Sequence, residues 1–181
     1  GASDRAVVRE ARYWLGETLL RQGRYEPGER NFLLVAQEGQ ADELTAYATY
    51  DLGWVALKLN DPARALARFD EVRRGAPIVG LAPFVTHGRA VALYGLGRFE
   101  DAREIWQGLL RLSIPRPLAL EVAFWLGDTL GRVGEPKAGV EHLQRFTAAG
   151  PHPLIETGIL RLGWWNLAAG NALDAAKAYR L

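Results

Sequence analysis

Residues 13–20 read YWLGETLL, and residues 124–131 read FWLGDTLG. The second octet is the first with conservative changes, and the two start 111 residues apart, three times 37. A step of 37 from the first octet reaches YDLGWVAL at 50–57 and HGRAVALY at 87–94, and LRLGWWNL at 160–167 follows one residue early. The chain is therefore one unit written five times, near 9–45, 46–82, 83–119, 120–155 and 156–181, the last copy truncated. Self-similarity at about 20–50 residues marks an array in which one supersecondary unit stacks on the next.

Four kinds of position recur in each copy. Midway through the first half stands a small residue: Gly16, Gly53, Ala90, Gly127, Gly163. Seven residues on comes Gly23, Asn60, Gly97, Gly134, Gly170. A second small residue follows at Gly28, Ala65, Ala102, Gly139 and Ala175, then a bulky one at Phe32, Phe69, Trp106, Leu143 and Tyr179. Val35, Val72, Leu109 and Phe146 continue the first four copies. Gly and Asn enter the left-handed backbone conformation cheaply, and that conformation ends helices. YEPG, DPAR and EPKA then put Pro in the first turn of a new helix, where its missing N–H costs nothing. Each copy thus reads as helix, tight turn, helix, with about a dozen residues per helix. The small columns predict close backbone crossings, because Gly inside a helix otherwise costs about 1 kcal/mol.

Pro77 and Pro151 sit at matching ends of copies, with Pro115 one residue off. These joints are short, so residues 1–181 read as a single domain, a fragment of a larger protein. Gly1-Ala2-Ser3 reads as a cloning remnant or a processed end.

The columns resemble the tetratricopeptide repeat (TPR), whose pattern runs W-x-x-L-G-x-x-Y, then Gly, Ala, Phe and Pro. WLGETLLRQGRY, DLGWVALKLNDPARALARF, GLGRFEDAREIW, WLGDTLGRVGEP and LGWWNLAAGNALDAAKAY carry it, from about Arg9 to Leu181. The resemblance implies an all-α fold, a right-handed superhelical solenoid of antiparallel helix pairs. There are departures: the period is 37 or 36 rather than about 34. Arg89 stands where Leu is expected, marking a kink or a functional spot, and Asn166 replaces a large apolar residue. The longer period and ARYWLGE are also similar to periplasmic Tol-Pal coordinator proteins and outer-membrane assembly lipoproteins, which would imply an envelope location. A cytoplasmic location stays open.

In the family the first helices line a concave groove that holds a partner. Carried onto this register, the groove residues are Tyr13, Glu17 and Arg21; Tyr47, Tyr50, Trp54 and Lys58; Phe84, His87, Val91 and Tyr94; Glu121, Phe124, Asp128 and Arg132; Leu160 and Trp164. The implied function is a non-catalytic scaffold that takes a protein or peptide partner on an aromatic surface. Tyr and Trp suit such a surface because they bury large area at low rotamer cost. Solenoids also bury aromatics between copies, so about half of these belong to each class. Trp14, Trp125 and Trp165 are expected on the core side. Glu17–Arg21 and Asp128–Arg132 read either as anchors for a partner carboxylate or, more plainly, as supports within their own helices. The Lys/Asn clamp that chaperone-binding members use for an acidic C-terminus is missing: Glu17 and Asp51 stand where it would be sought. Two alternatives remain open, homo-oligomerisation through an uncapped end of the array and a regulatory module of a larger enzyme.

Composition narrows the field further. Apolar residues make up 49% of the chain, charged ones 24%, and the net charge is +1, which gives no field for nucleic acid or an acidic membrane surface. No apolar run approaches the roughly 20 residues of a membrane-spanning helix. The chain has no Cys, and its three His (His87, His142, His152) are widely spaced, so no metal site and no cofactor is expected. Ser3 and Ser113 are the only serines, neither in a nucleophile motif, and GLGR lacks a phosphate-cradle context, so no catalysis is expected.

Overall fold

The computed structural model describes residues 2–38, 42–75 and 78–180. Gly1, Pro77 and Leu181 lie outside the described residues, and with them the processed end, one of the three proline joints and the last position of the array. Among the described residues the chain is all-α, with ten helices and no strand. First helices are α1 (Ala2–Arg21), α3 (Glu43–Lys58), α5 (Ala82–Gly95), α7 (Arg116–Arg132) and α9 (Ile155–Ala168). Second helices are α2 (Tyr25–Gln37), α4 (Pro62–Arg74), α6 (Phe99–Leu110), α8 (Pro136–Thr147) and α10 (Ala172–Ala178).

The turns fall where the Gly/Asn column puts them. Asn60 has φ 59°, the one non-glycine residue with positive φ among those described, and the four glycines of its column lie between 74° and 88°. The Gly23 N–H donates to the Leu20 carbonyl at 3.0 Å and the Arg24 N–H to the Leu19 carbonyl at 2.9 Å. Asn60 with Asp61, Gly134 with Glu135 and Gly170 with Asn171 repeat this pair of bonds, which satisfies carbonyls that a helix end would leave orphaned. Pro62 and Pro136 open α4 and α8, and the Asp61 carboxylate accepts the Arg64 N–H at 3.0 Å as an N-cap. First helices start earlier than the repeat period suggests: α1 at Ala2 and α7 at Arg116. The residues ahead of the motif are ordinary helix formers, and Pro115 and Pro117 start α7 instead of interrupting it.

The chain packs as two compact units, one ending at Leu96 and one beginning at Gly97. In the first unit, one core gathers around Phe32, Val35, Leu52 and Val55, and another around Phe69, Leu81 and Val85. In the second, the core gathers around Phe124, Leu143, Phe146 and Leu162. The small columns face these cores. A Cβ built on Gly16 would lie 2.7 Å from the Phe32 ring, and one on Gly53 2.6 Å from Phe69. Gly88, outside the expected columns, meets Phe69 too, at 2.6 Å, so the ring is held between α3 and α5. In the second unit two backbones approach directly: a Cβ on Gly139 would come within 2.5 Å of the Gly127 carbonyl oxygen. Burying a ring such as Phe69 is worth about 1.5–3 kcal/mol, more than the roughly 1 kcal/mol that Gly costs inside a helix.

Arg89 does not kink α5, which runs unbroken. Its Nε donates to the Asp70 carboxylate of α4 at 2.6 Å, an ion pair between neighbouring helices. Asn166 is buried and donates from Nδ2 to the Leu162 carbonyl at 3.0 Å, while its Oδ1 is buried with no hydrogen-bond partner in the described structure.

Candidate functional site

The face built by α1 and α3 is the most accessible aromatic surface of the first unit. Glu43, Tyr47 and Asp51 recur every four residues and so share one side of α3. Tyr13 and Glu17 do the same on α1, which touches α3 directly. Between the helices lies an open depression of about 360 Å³, lined by Tyr13, Trp14, Glu43, Leu44 and Tyr47. The Tyr13 and Trp14 rings meet edge to face at 5.2 Å, and Tyr13 reaches inward to Phe32 at 5.8 Å. Trp14 is 57% exposed, which corrects its expected place in the core. Trp125, at the same motif position, does lie on the core side: it stacks on Trp106 of α6 at 6.1 Å.

Beneath this depression the electrostatics are unusual. Asp51 is only 6% exposed, and the Tyr13 hydroxyl hydrogen-bonds to its carboxyl group. Its Oδ2 is buried and has no hydrogen-bond partner in the described structure. Burial, reinforced by the charge of Glu17, pushes the Asp51 carboxyl up to about 7, against the lowering effect of the Tyr13 bond. Burial and the charges of Asp51 and Glu17 likewise push the Tyr13 phenol far above its usual range. Asp42, at the joint before α3, is the opposite case. Arg9 binds it with two N–H groups, and the Thr45 N–H donates to it at 2.9 Å, so its carboxyl is held below the usual carboxylate range.

The other expected groove residues divide by depth. Tyr50 and Trp54 are half-buried and lean on Phe69, with ring centroids 5.8 and 5.7 Å away. Phe84 packs against the same core, and Tyr94 is half-buried. His87 (1% exposed), Val91 and Phe124 lie in the interior of their units. Arg21 and Lys58 are exposed in the last turns of α1 and α3, and Arg21 pairs with Glu17 at 3.2 Å. Asp128 is buried where two helices of the second unit meet. It accepts the Trp165 indole N–H at 2.9 Å and Arg132 Nε at 2.9 Å, with Arg161 Nε at 3.3 Å. This carboxylate ties α9 to α7, and Arg132 also lies over the Phe99 ring at 5.3 Å. Leu160 and Trp164 stand exposed one turn apart on α9, Trp164 at 59%, and Glu121 is half-buried.

Glu43 and Leu44 line the depression without being among the residues expected from the sequence. The expected face runs through Tyr47, Tyr50 and Trp54, and Glu43 lies one turn before it on the same helix. Among the described residues, no group of three or more His, Asp and Glu side chains could hold a metal ion, and no helix is long and apolar enough to cross a membrane.

One tetratricopeptide repeat profile matches residues 9–26 and 46–71, and a second matches residues 87–152, together more than half of the chain. The chain belongs to the tetratricopeptide repeat family. Nothing in these matches singles out the Tol-Pal or assembly-lipoprotein subset. No curated protein sequence matches the chain. Among solved structures, the TPR fold of this chain is similar to MamA, residues 41 to the end, from Desulfovibrio magneticus RS-1. That match has 18% identity and a TM-score of 0.73 over 95% of this chain and 91% of that one. It is similar as well to the nearly identical TPR-like repeats of a putative kinesin light chain from Podosopora anserina. There the identity is 14% and the TM-score 0.73, over 94% of this chain and 91% of that one. A third likeness is to the Rap conjugation gene regulator of plasmid pLS20, solved in complex with the Phr* peptide. It has 14% identity and a TM-score of 0.78, over 99% of this chain and 53% of that one. At these identities the likeness is one of fold.

Proposed function

We propose that this TPR chain is a non-catalytic scaffold that binds a protein partner, as a peptide or a helix, on the aromatic faces of its first helices. The observation that carries the reading is the open surface of Tyr13, Trp14 and Tyr47, where rings stay accessible although the same helices bury Leu19, Leu52 and Val55 behind them. A large aromatic left in solvent gains by docking, and Tyr and Trp do so at small entropic cost. Trp164 with Leu160 offers a second, separate patch on α9. Within the expected set, Tyr13, Tyr47 and Trp164 are the direct contacts, with Glu17 and Arg21 beside them. Tyr50, Trp54, Phe84, His87 and Phe124 act by holding the helices that present them. The Rap regulator's bound peptide supports this reading as an analogy of fold.

The test is site-specific photocross-linking in the native host, with the reactive residue at positions 14, 47 and 164, and controls at the exposed Arg30 and Gln107 on second helices. Positions 14 and 47 should capture one and the same protein, and the control positions should not. Equal capture from both sets, or none from the first, refutes the reading.

Self-association is a second reading, favoured by Leu167, Leu173 and Tyr179, which α9 and α10 leave exposed. Light scattering of the protein and of Leu173→Glu separates the two: a dimer that the substitution dissolves supports self-association.

A further inference from the structure

We propose that the depression between α1 and α3 is a subsite for a cationic side chain, an arginine or lysine of the partner. The inference rests on the partner-binding reading above and adds the chemistry of the anchor. The depression combines two kinds of group. Its lining is Tyr13 and Trp14 of α1 with Glu43, Leu44 and Tyr47 of α3, three rings and a carboxylate, and Glu17 stands one turn on from Tyr13 along α1. Aromatic faces and carboxylates in one cleft suit a cation: the ring quadrupoles attract the charge and stack against its stem, and the carboxylates accept its N–H groups. An anion would meet Glu43 in the lining with Glu17 one turn beyond Tyr13, and a purely apolar group would leave Glu43 facing a drying surface without compensation.

The basic side chains of α1 do not already fill this role. Arg9 is engaged by Asp42, Thr45 and the Val35 carbonyl, and Arg12 pairs with Glu38 at 2.8 Å. Arg21 pairs with Glu17, but it is 80% exposed, so this is a surface pair of small worth that an incoming guanidinium can share or displace.

The experiment is a titration of the whole chain, read from indole N–H signals by NMR, with Trp14 assigned through Trp14→Phe. The probes are arginine amide, citrulline amide as its neutral isostere, and leucine amide. Arginine amide should move the Trp14 signal saturably, with citrulline amide at least about 5-fold weaker. Glu17→Gln and Glu43→Gln should each weaken arginine amide about 2–5-fold while the thermal midpoint stays put. Equal binding of citrulline amide, or no response to either substitution, overturns the proposal. Leucine amide moving Trp14 where arginine amide does not also overturns it, and leaves the aromatic docking surface standing. An arginine response with no cross-link at positions 14 and 47 in the host supports the subsite and overturns the wider reading.

Discussion

Replacing Asp51 with Asn should stabilise the protein above pH 7 and remove a decline in stability that the parent shows on the way there. Burial, and then the charge of Glu17, lift this carboxyl from the ordinary 3.8 to about 7, the Tyr13 bond acting against them. Between those two values the folded chain keeps a proton that the unfolded chain has lost. Fewer protons bound by the unfolded state means that stability falls as pH rises. The contribution is fully present below 3.8 and lost once pH has passed about 7. At 1.36 kcal/mol per pH unit, the gap makes an ionised Asp51 cost up to about 4 kcal/mol at pH 8. Asn keeps an acceptor for the Tyr13 hydroxyl but sets an amide nitrogen where Oδ2 has no partner, a loss of about 1–2 kcal/mol. The net gain expected at pH 8 is therefore about 2–3 kcal/mol, shrinking to nothing or a small loss near pH 4. Urea unfolding followed by far-ultraviolet circular dichroism at pH 4.5, 6 and 8 measures it. The quantity to read is parent minus variant, because other groups titrate as well. Burial lowers the His142 pKa, so its contribution rises with pH below 6.5, and Asp42 contributes stability that is lost only as pH falls below 3.8. Both cancel in the difference. A difference that stays flat from pH 4.5 to 8, or a variant less stable than its parent at pH 8, would refute the reasoning.

Gly131→Ala should cost about 2–4 kcal/mol, because its Cβ would lie 2.2 Å from the Trp165 ring, which the bond to Asp128 holds in place. Gly163→Ala meets Tyr179 at 2.3 Å, but that ring is half exposed and can swing away, so thermal melts should show under about 1 kcal/mol. Equal losses at the two sites would contradict the packing described for α7 and α9. Asn166→Leu should raise stability by about 1–2 kcal/mol in denaturant titration, since it removes a buried oxygen without a partner from a column otherwise filled by Leu and Ala. A loss there would mean that the side chain has a partner the structure does not describe.

The turns and the small-against-bulky packing were legible in the sequence because each depends on a property of one residue type. Only Gly and Asn take positive φ at little cost, so Asn60 could stand in for glycine without breaking the column. Only a missing Cβ lets Phe32 or Phe69 lie against a helix backbone. The site was less legible because exposure depends on neighbours that the motif does not name. Trp14 and Trp125 occupy the same place in the repeat, yet Trp125 has Trp106 of α6 to stack on, and no described helix precedes α1. Asp128 reads as half of a surface pair with Arg132 until Trp165, 37 residues away, closes over it. Asp51 sits in a column that holds Trp, Gly and Arg in other copies, so nothing in the period announces a buried acid there.

The spacing of the helices carries a lesson for anyone cutting or extending this chain. Three residues separate the two helices of every pair, and each described hairpin spends them on the same left-handed step. Five or seven residues separate one pair from the next. A reporter peptide or protease site spliced between residues 148 and 154 lengthens a connection that already varies from copy to copy. The same splice at Gly134 would rotate α8 out of its seat against Gly127. Tolerance to insertion should therefore alternate along the sequence with the repeat, permissive between hairpins and forbidding within them.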